Sequence, residues 1–187
     1  MHEEVLVGVK RSDSVAKQIQ LPAHSGNSRI LKKMNRTYTR EWYEMKYNRI
    51  KEILPNCSVS CDIITGFCSE TEDDHKDTLE LLVNCPFEFS YMYYYSERPG
   101  TLAARKYEDD IAEDIKKRRL SEVINVQHDI AKKLNRAQEG KVHRVLIEMQ
   151  SKKNENEWMG RNEQNIKVIF PKDHYNLGDF VDVIIER

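Results

Sequence analysis

The sequence lacks a large excess of charge of either sign, long apolar stretches, internal repeats and low-complexity segments. Its 187 residues include 30 Lys and Arg against 31 Asp and Glu, so any basic surface for nucleic acid must be local. No apolar run approaches the ~20 residues that a membrane-spanning helix needs. Met1-His-Glu-Glu lacks the basic and then apolar pattern of a signal peptide. We therefore expect a cytoplasmic protein without a membrane partner.

Strand, turn and helix patterns alternate in the first part of the chain. Short β-branched or alternating runs predict strands at 18–21, 58–65 and 89–95. Between them, helical spacing of Trp42, Met45, Ile50, Ile53 and Leu54 predicts a helix at 40–54 with Thr39 as its N-cap. Ser69 and Glu72 have the spacing of a capping box before a second helix at 71–84. Because parallel neighbours need crossover helices, this order predicts an α/β fold with a parallel sheet.

The pattern of predicted elements changes in the second part of the sequence. A long charged helix is predicted at 110–138, and its apolar stripe consists of Ile111, Ile115, Leu120, Val123, Ile124, Ile130 and Leu134. Three alternating runs follow, at 142–149, 166–170 and 180–185, and they predict a small antiparallel barrel. We expect a domain boundary near the end of the long helix, giving domains 1–131 and 132–187. The barrel is expected to be incomplete, with an unpaired edge where the sequence stops at Arg187.

The ends of the three parallel strands are the predicted place for chemistry. Ligands of such sheets bind where the carboxyl ends of strands meet loops and helix N-termini. His24-Ser25-Gly26, Gly66 to Glu70 and Ser96 to Thr101 follow the three strands. Glycine at these turns allows a ligand to approach the backbone, and Glu70 is a carboxylate that can accept hydrogen bonds from an amine or ribose. From spacing alone, ordinary βα turns remain the favoured interpretation.

Several short sequence motifs resemble motifs of one enzyme family. Leu21-Pro-Ala-His-Ser-Gly-Asn, Met34-Asn-Arg-Thr-Tyr-Thr and Asp62-Ile-Ile-Thr-Gly-Phe are similar to passages of the radical-SAM tRNA methylthiotransferases. Tyr95-Ser-Glu-Arg-Pro-Gly-Thr continues the resemblance, and Gly160-Arg-Asn looks like part of their RNA-binding TRAM module. The first two words look most like the branch that acts on isopentenylated adenosine beside the anticodon. The branch that acts on threonylcarbamoyladenosine shares much of this pattern.

The resemblance implies a fold, a reaction and a cofactor. The fold is the second half of a radical-SAM partial (β/α) barrel followed by a TRAM-like barrel, both incomplete. The reaction adds a methylthio group to carbon 2 of an adenine in tRNA through S-adenosylmethionine radical chemistry, in an enzyme expected to be monomeric at full length. The cofactor-binding residues that it implies are His24, Ser25, Gly26, Asp62, Gly66 and Glu70.

The family also uses [4Fe-4S] clusters, which need cysteine thiolates. The radical cluster of the superfamily is held by a Cys-x3-Cys-x2-Cys loop. Cys57 and Cys61 have the first spacing, but the next cysteine is Cys68, and a strand points intervening residues to opposite faces. We therefore interpret all four cysteines as thiols without a cluster, expect no metal or catalytic residue here, and expect this chain not to be active alone.

The C-terminal part of the sequence is predicted to bind RNA. Its candidate phosphate and RNA contacts are Lys141, Arg144, Lys152, Lys153, Arg161, Asn162 and Lys167. Trp158, Phe170 and Tyr175 are candidate stacking platforms for bases. Two alternatives remain open: an RNA-binding module without catalysis, and an inert fragment that cannot bury its sheet edges.

Overall fold

The computed structural model describes residues 3–12 and 14–186. Helices and strands alternate before a final run of strands. Their bounds are α1 Glu3–Arg11, β1 Gln18–Gln20, α2 Ser28–Lys33, α3 Arg40–Ile53, β2 Ser58–Thr65, α4 Glu72–Asn84, β3 Phe89–Tyr94, α5 Leu102–Lys106, α6 Glu113–Arg136, β4 Val142–Gln150, β5 Glu157–Asn162, β6 Lys167–Pro171 and β7 Phe180–Ile184. Among the described residues, no helix has the length and apolar character to cross a membrane.

The chain forms two compact units. One, here called the α/β unit, comprises Gln20–Ile50 and Val59–Lys132. The other, here called the barrel unit, comprises the segment up to Ile19, Lys51–Ser58 and the segment from Lys133 onward. The long helix is therefore shared, with its last turn in the barrel unit, and the barrel unit also includes two segments from the first part of the chain.

A three-stranded sheet has the strand order β1-β2-β3. β2 and β3 pair in parallel, with Ser60 opposite Phe89 and Ile64 opposite Tyr93. His24 extends the sheet beyond β1 through a parallel bridge to Ile63. The predicted α/β class and parallel pairing are therefore present.

Helix α3 buries a face that differs from the predicted apolar stripe. In α3 the buried residues are Tyr43, Tyr47 and Ile50, whereas Trp42 and Met45 are exposed. Tyr43 and Tyr47 both pack edge-on against buried Phe87, with ring centroids 6.4 and 5.5 Å apart. The predicted stripe was wrong at Trp42 and Met45 because large tyrosines with hydrogen-bonded hydroxyls fill the interior better at this spacing.

The start of α4 also differs from the prediction. Its N-cap is Thr71, whose side chain accepts from the Asp74 backbone N–H, and Asp74 completes the capping box by accepting from the Thr71 N–H. Ser69 has a φ of 62° and donates its backbone N–H to Asp110 Oδ1 at 2.6 Å. The predicted Ser69–Glu72 box is therefore wrong, because Ser69 lies in the turn before the helix and Thr71 offers the same chemistry two residues later.

The barrel unit contains a four-stranded antiparallel sheet of order β6-β5-β4-β7. The prediction of three strands missed β5, because Gly160 and three charged or amide side chains hide its alternation. Inward-facing residues form one apolar cluster, composed of Val145, Ile147, Val168, Phe170 and Val181. Phe170 is thus a core residue, which is the alternative to a stacking platform for bases that its sequence left open.

All four cysteines are free and buried. Burial raises the pKa of Cys61 and of Cys85 to about 12, so both remain protonated at neutral pH. In the part of the chain that the structure describes, no three His, Cys, Asp or Glu side chains gather as possible metal ligands. The cysteines therefore act as small packing residues in this chain.

A buried histidine joins α4 to α6. His75 Nε2 lies 2.8 Å from Glu122 Oε2, while its Nδ1 is buried without a hydrogen-bond partner. Burial lowers the pKa of His75, and the nearby Arg119 guanidinium adds to this, although Glu122 opposes it. The neutral ring is therefore the form that the folded protein favours.

This lowered pKa predicts a loss of stability in mild acid. Because the unfolded chain takes up the proton more readily, the free energy of unfolding should fall as pH decreases below about 6.5, by up to about 1.4 kcal/mol per pH unit for one proton. Urea unfolding of His75→Gln at several pH values should show a shallower fall than the parent chain. His24 and His143, whose pKa values burial also lowers, keep part of the slope. Equal slopes in the parent chain and in His75→Gln would contradict the assignment.

Candidate functional site

The turn after β2 is organised by a buried ion pair. Arg119 Nη1 donates to Glu70 Oε1 at 2.9 Å, and their side chains are only 4% and 1% exposed. The same carboxylate oxygen accepts the Gly66 backbone N–H at 2.9 Å. Burial raises the pKa of Glu70, whereas the Gly66 N–H and the Arg119 guanidinium oppose that rise. Glu70 therefore uses its carboxylate to hold this turn against α6.

Both predicted site glycines are needed for packing inside the protein. Gly66 has a φ of 68°, and a Cβ added there would lie 2.4 Å from Lys116 Cγ. A Cβ at Gly26 would lie 2.3 Å from the Asp77 carbonyl oxygen of α4, and the Gly26 N–H donates to Thr78 Oγ1 at 2.9 Å. The reason given for these glycines, room for a ligand, is thus corrected: helix residues occupy that room.

The remaining residues of the first turn also have internal partners. Ser25 is buried, and its Oγ accepts the Asn27 N–H at 3.2 Å. Tyr38 donates its hydroxyl to the Pro22 carbonyl at 3.0 Å, so it accepts from His24 Nδ1 at 3.2 Å. His24 Nε2 then accepts from Arg36, 2.9 Å away. This arrangement fits the lowered pKa of His24, for which burial is the largest cause and Arg36 the next.

Asp62 lies differently from the other predicted cofactor residues. It is partly exposed on β2, and its carboxylate accepts from the Gln20 amide at 3.3 Å. Beyond it, Thr65 Oγ1 is buried near the end of β2 without a hydrogen-bond partner. Asp62 in the middle of β2 is therefore a partly exposed carboxylate, whereas Thr65 at the end of β2 is a buried hydroxyl on the opposite face.

The predicted RNA residues divide into three groups in the barrel unit. Lys152 and Lys153 are exposed in the loop between β4 and β5. Arg161 is opposite both Leu146 and Lys167 in the sheet register, so these side chains share the face away from the apolar cluster. Arg144 lies on that face too, with its guanidinium carbon 4.8 Å from the centre of the Phe180 ring. Lys141 is exposed just before β4.

Asn162 has a structural position rather than a surface one. It is buried, its amide contacts His143 Nδ1 at 2.7 Å, and its Oδ1 accepts the backbone N–H groups of Gln164 and Ile166. Arg161 likewise donates to the Asn165 carbonyl at 3.1 Å and pairs with Glu148 at 3.3 Å. Arg161 and Asn162 therefore both stabilise the hairpin between β5 and β6.

Sequence reasoning missed Arg119, Tyr38 and Gln20 as parts of the site. Arg119 lies 49 positions from Glu70, so the sequence does not show that the two side chains pair. A charged residue on the side of α6 that also carries Val123 is the one signal that was present.

The chain has clear relatives among proteins of known name. Residues 136–187 match the TRAM domain family. The tRNA-2-methylthio-N(6)-dimethylallyladenosine synthase of Amoebophilus asiaticus is 51% identical over 184 residues, which are 98% of this chain and 38% of that protein. The protein of the same name from Flavobacterium psychrophilum is 48% identical over 186 residues, 100% of this chain and 39% of that protein. The chain is similar to the C-terminal part of the tRNA methylthiotransferases.

This similarity confirms the resemblance inferred from the sequence. The chain spans about 40% of the length of these relatives. Among solved structures, coproporphyrinogen III oxidase (HemN) from Escherichia coli, described as a radical SAM enzyme, matches with a TM-score of 0.57 at 18% identity, covering 87% of this chain and 44% of that one. At that identity the match shows a shared fold.

The Glu70–Arg119 pair predicts that Glu70 matters for folding. In Glu70→Gln the buried guanidinium loses its buried charged partner and keeps only the half-exposed Glu72, which should lower the free energy of unfolding by about 3 kcal/mol, because removing one member of a buried pair leaves the other poorly compensated. Glu72→Gln is the matched control: Glu72 also pairs with Arg119, at 2.7 Å, but its side chain is 52% exposed. That variant should lose less than about 1 kcal/mol in urea unfolding, and equal losses would contradict the role of burial.

Proposed function

We propose that this chain forms the C-terminal part of an enzyme that adds a methylthio group to carbon 2 of N6-isopentenyladenosine beside the tRNA anticodon. The observation that carries the proposal is about 50% identity, over nearly the whole chain, to two proteins named for the methylthio derivative of that nucleoside. The TRAM match in the barrel unit supports it, and the fold shared with HemN agrees with it. The full-length enzyme is proposed to be a cytoplasmic monomer.

S-adenosylmethionine is proposed to bind at the strand ends of the α/β unit, where it would supply the radical chemistry and the methyl group. The partly exposed Asp62 carboxylate fits a polar ligand there. The other predicted cofactor residues, His24, Ser25, Gly26, Gly66 and Glu70, would act by fixing the shape of the turns. The buried, scattered cysteines do not fit [4Fe-4S] ligands, so no cluster is assigned to this chain.

The barrel unit is proposed to bind tRNA. Lys152 and Lys153 extend from an exposed loop, and Lys141, Arg144 and Lys167 add cations along the strands. Cationic side chains release counterions when they contact phosphates, which makes binding salt-dependent. Asn162 and Arg161 would support this surface by holding the β5–β6 hairpin.

A chimaeric enzyme tests the proposed reaction. This chain would replace the matching C-terminal part of the Amoebophilus asiaticus relative, and tRNA from cells lacking their own enzyme would be analysed by mass spectrometry. We expect methylthiolated isopentenyladenosine. Methylthiolated threonylcarbamoyladenosine in its place would assign the chain to the sister branch. A folded chimaera that binds tRNA but forms neither product would favour an RNA-binding module without catalysis.

Lys152 and Lys153 provide the test of RNA binding. Replacing both by Ala in the 187-residue chain should weaken tRNA binding and reduce the slope of log affinity against log salt by about 2, because roughly one counterion is released for each phosphate contact. The control is Lys76→Ala, an exposed lysine of α4 in the α/β unit, which should leave the slope unchanged. A parent slope in the double variant would remove the loop from the interface.

A further inference from the structure

Two segments of the α/β unit are rich in cations and contain no carboxylate. Residues 28–36 and 98–106 together hold seven of the 30 Lys and Arg residues of the chain and none of its 31 Asp and Glu residues. Because the whole chain has a net charge of -1, the rest of the sequence is acidic and these segments are locally basic. We call their cations the cationic patch: Arg29, Lys32, Lys33, Arg36, Arg98, Arg105 and Lys106.

The fold brings the two segments together. Ile30 of α2 and Ala103 of α5 pack on the same apolar cluster, which also includes Tyr107. Lys33 Nζ lies 5.3 Å from the centre of the Tyr107 ring, and Lys106 Nζ lies 5.7 Å from the same centre. Residues more than 70 positions apart in the sequence therefore place their ammonium groups at one aromatic ring.

A third cation joins Lys33 at the turn after β2. Arg29 Nη1 donates to Ser69 Oγ at 3.3 Å, and Lys33 Nζ donates to the same hydroxyl. Like charges this close repel each other. The nearby Asp110 uses its Oδ1 to accept the Ser69 backbone N–H at 2.6 Å. The arrangement is therefore stabilised when a further anion approaches the cations from solvent.

Carboxylates compensate the patch poorly. Arg29 pairs with Asp74, and no ion pair within residues 3–12 and 14–186 involves the other six cations. All members except Lys33 are exposed. Elsewhere in the same unit the protein pairs its cations: those of α6 that pair with carboxylates are Lys116, Lys117, Arg118 and Arg119. The patch thus differs from an ordinary solvated face of mixed charge.

These properties indicate a partner with many negative charges. Lys and Arg side chains that lack carboxylate partners bind phosphate oxygens strongly. An exposed patch made from two segments suits a chain of phosphates, each of which releases counterions when a cation replaces them. The charge itself thus indicates a polyanion.

We propose that the cationic patch binds backbone phosphates of tRNA, as a second RNA surface in addition to the Lys152–Lys153 loop of the barrel unit. The inference rests on the proposed function, which identifies the polyanion as tRNA. It extends RNA binding to the α/β unit, where the sequence predicted no RNA contact.

The test replaces the two lysines at the Tyr107 ring. In the 187-residue chain, Lys33→Gln combined with Lys106→Gln removes both charges and keeps polar side chains of similar length. tRNA binding should weaken, and the slope of log affinity against log salt should fall by about 2, because each lost phosphate contact lowers it by roughly one. Adding Lys152→Ala and Lys153→Ala should lower the slope by about 4 in total, since independent contacts add.

Lys46→Gln is the matched control. Lys46 Nζ also lies over an aromatic ring of the α/β unit, 5.5 Å from the centre of Trp42. Its helix α3 contains Glu41, Glu44 and Glu52, so it lies outside the carboxylate-free segments. This variant should bind tRNA with the parent affinity and slope. Circular dichroism and urea unfolding of every variant check that it is folded.

Four results would overturn the inference. If the Lys33/Lys106 variant keeps the parent slope while the Lys152/Lys153 variant loses part of it, the patch has no role and the proposed function stands. An equal loss in Lys46→Gln would show a general effect of net charge. If inorganic phosphate at constant ionic strength displaces tRNA from the parent and not from the Lys33/Lys106 variant, the patch is a site for a single anion. If the parent chain does not bind tRNA, the proposed RNA function fails together with the patch.

Discussion

The buried pair between Arg119 and Glu70 is the interaction on which the α/β unit depends. Neither charge can be left alone in the interior without a large desolvation cost, so the two side chains fix each other's position. Through Glu70 the pair also holds the Gly66 N–H, and through α6 it places Lys116 in the space that a side chain at residue 66 would fill. The turn after β2, the start of α4 and the inner side of α6 are thereby set in one arrangement.

A consequence is that the turns and the open sheet face have different roles. Ser25, Gly26, Gly66 and Glu70 direct their polar groups or their close contacts inward, which makes the turns rigid. What remains for ligands is the side of the sheet that holds Asp62. The barrel unit follows the same rule: Asn162 is buried to hold a hairpin, whereas Lys152 and Lys153 stay in solvent where phosphates can reach them.

Much of the architecture was predictable from local pattern. Strands β2, β3, β4, β6 and β7 lie within a few residues of their predicted positions, since runs of β-branched and aromatic residues between turn signals report a local preference. The short helices α1, α2 and α5 were not predicted, because so few residues carry little periodicity. β5 was missed because glycine and charge interrupt its alternation. For the candidate site, the sequence motifs predicted where the turns lie, but they did not show which atoms of those turns face a ligand.

The sequence by itself determined the positions of most strands and of the longer helices, and the relationship to tRNA methylthiotransferases. These features depend on residues that are close together in the chain or on short motifs that are visible in the sequence. Only the tertiary structure decided which face each helix buries. The inner face of α6 holds Lys116, Arg119, Val123 and Gln127, whereas Ile124 of its apolar stripe is exposed. A charged side chain is buried only where an opposite charge pairs with it. For Arg119 that partner is a carboxylate 49 residues away along the chain, so a local sequence pattern does not predict the pair.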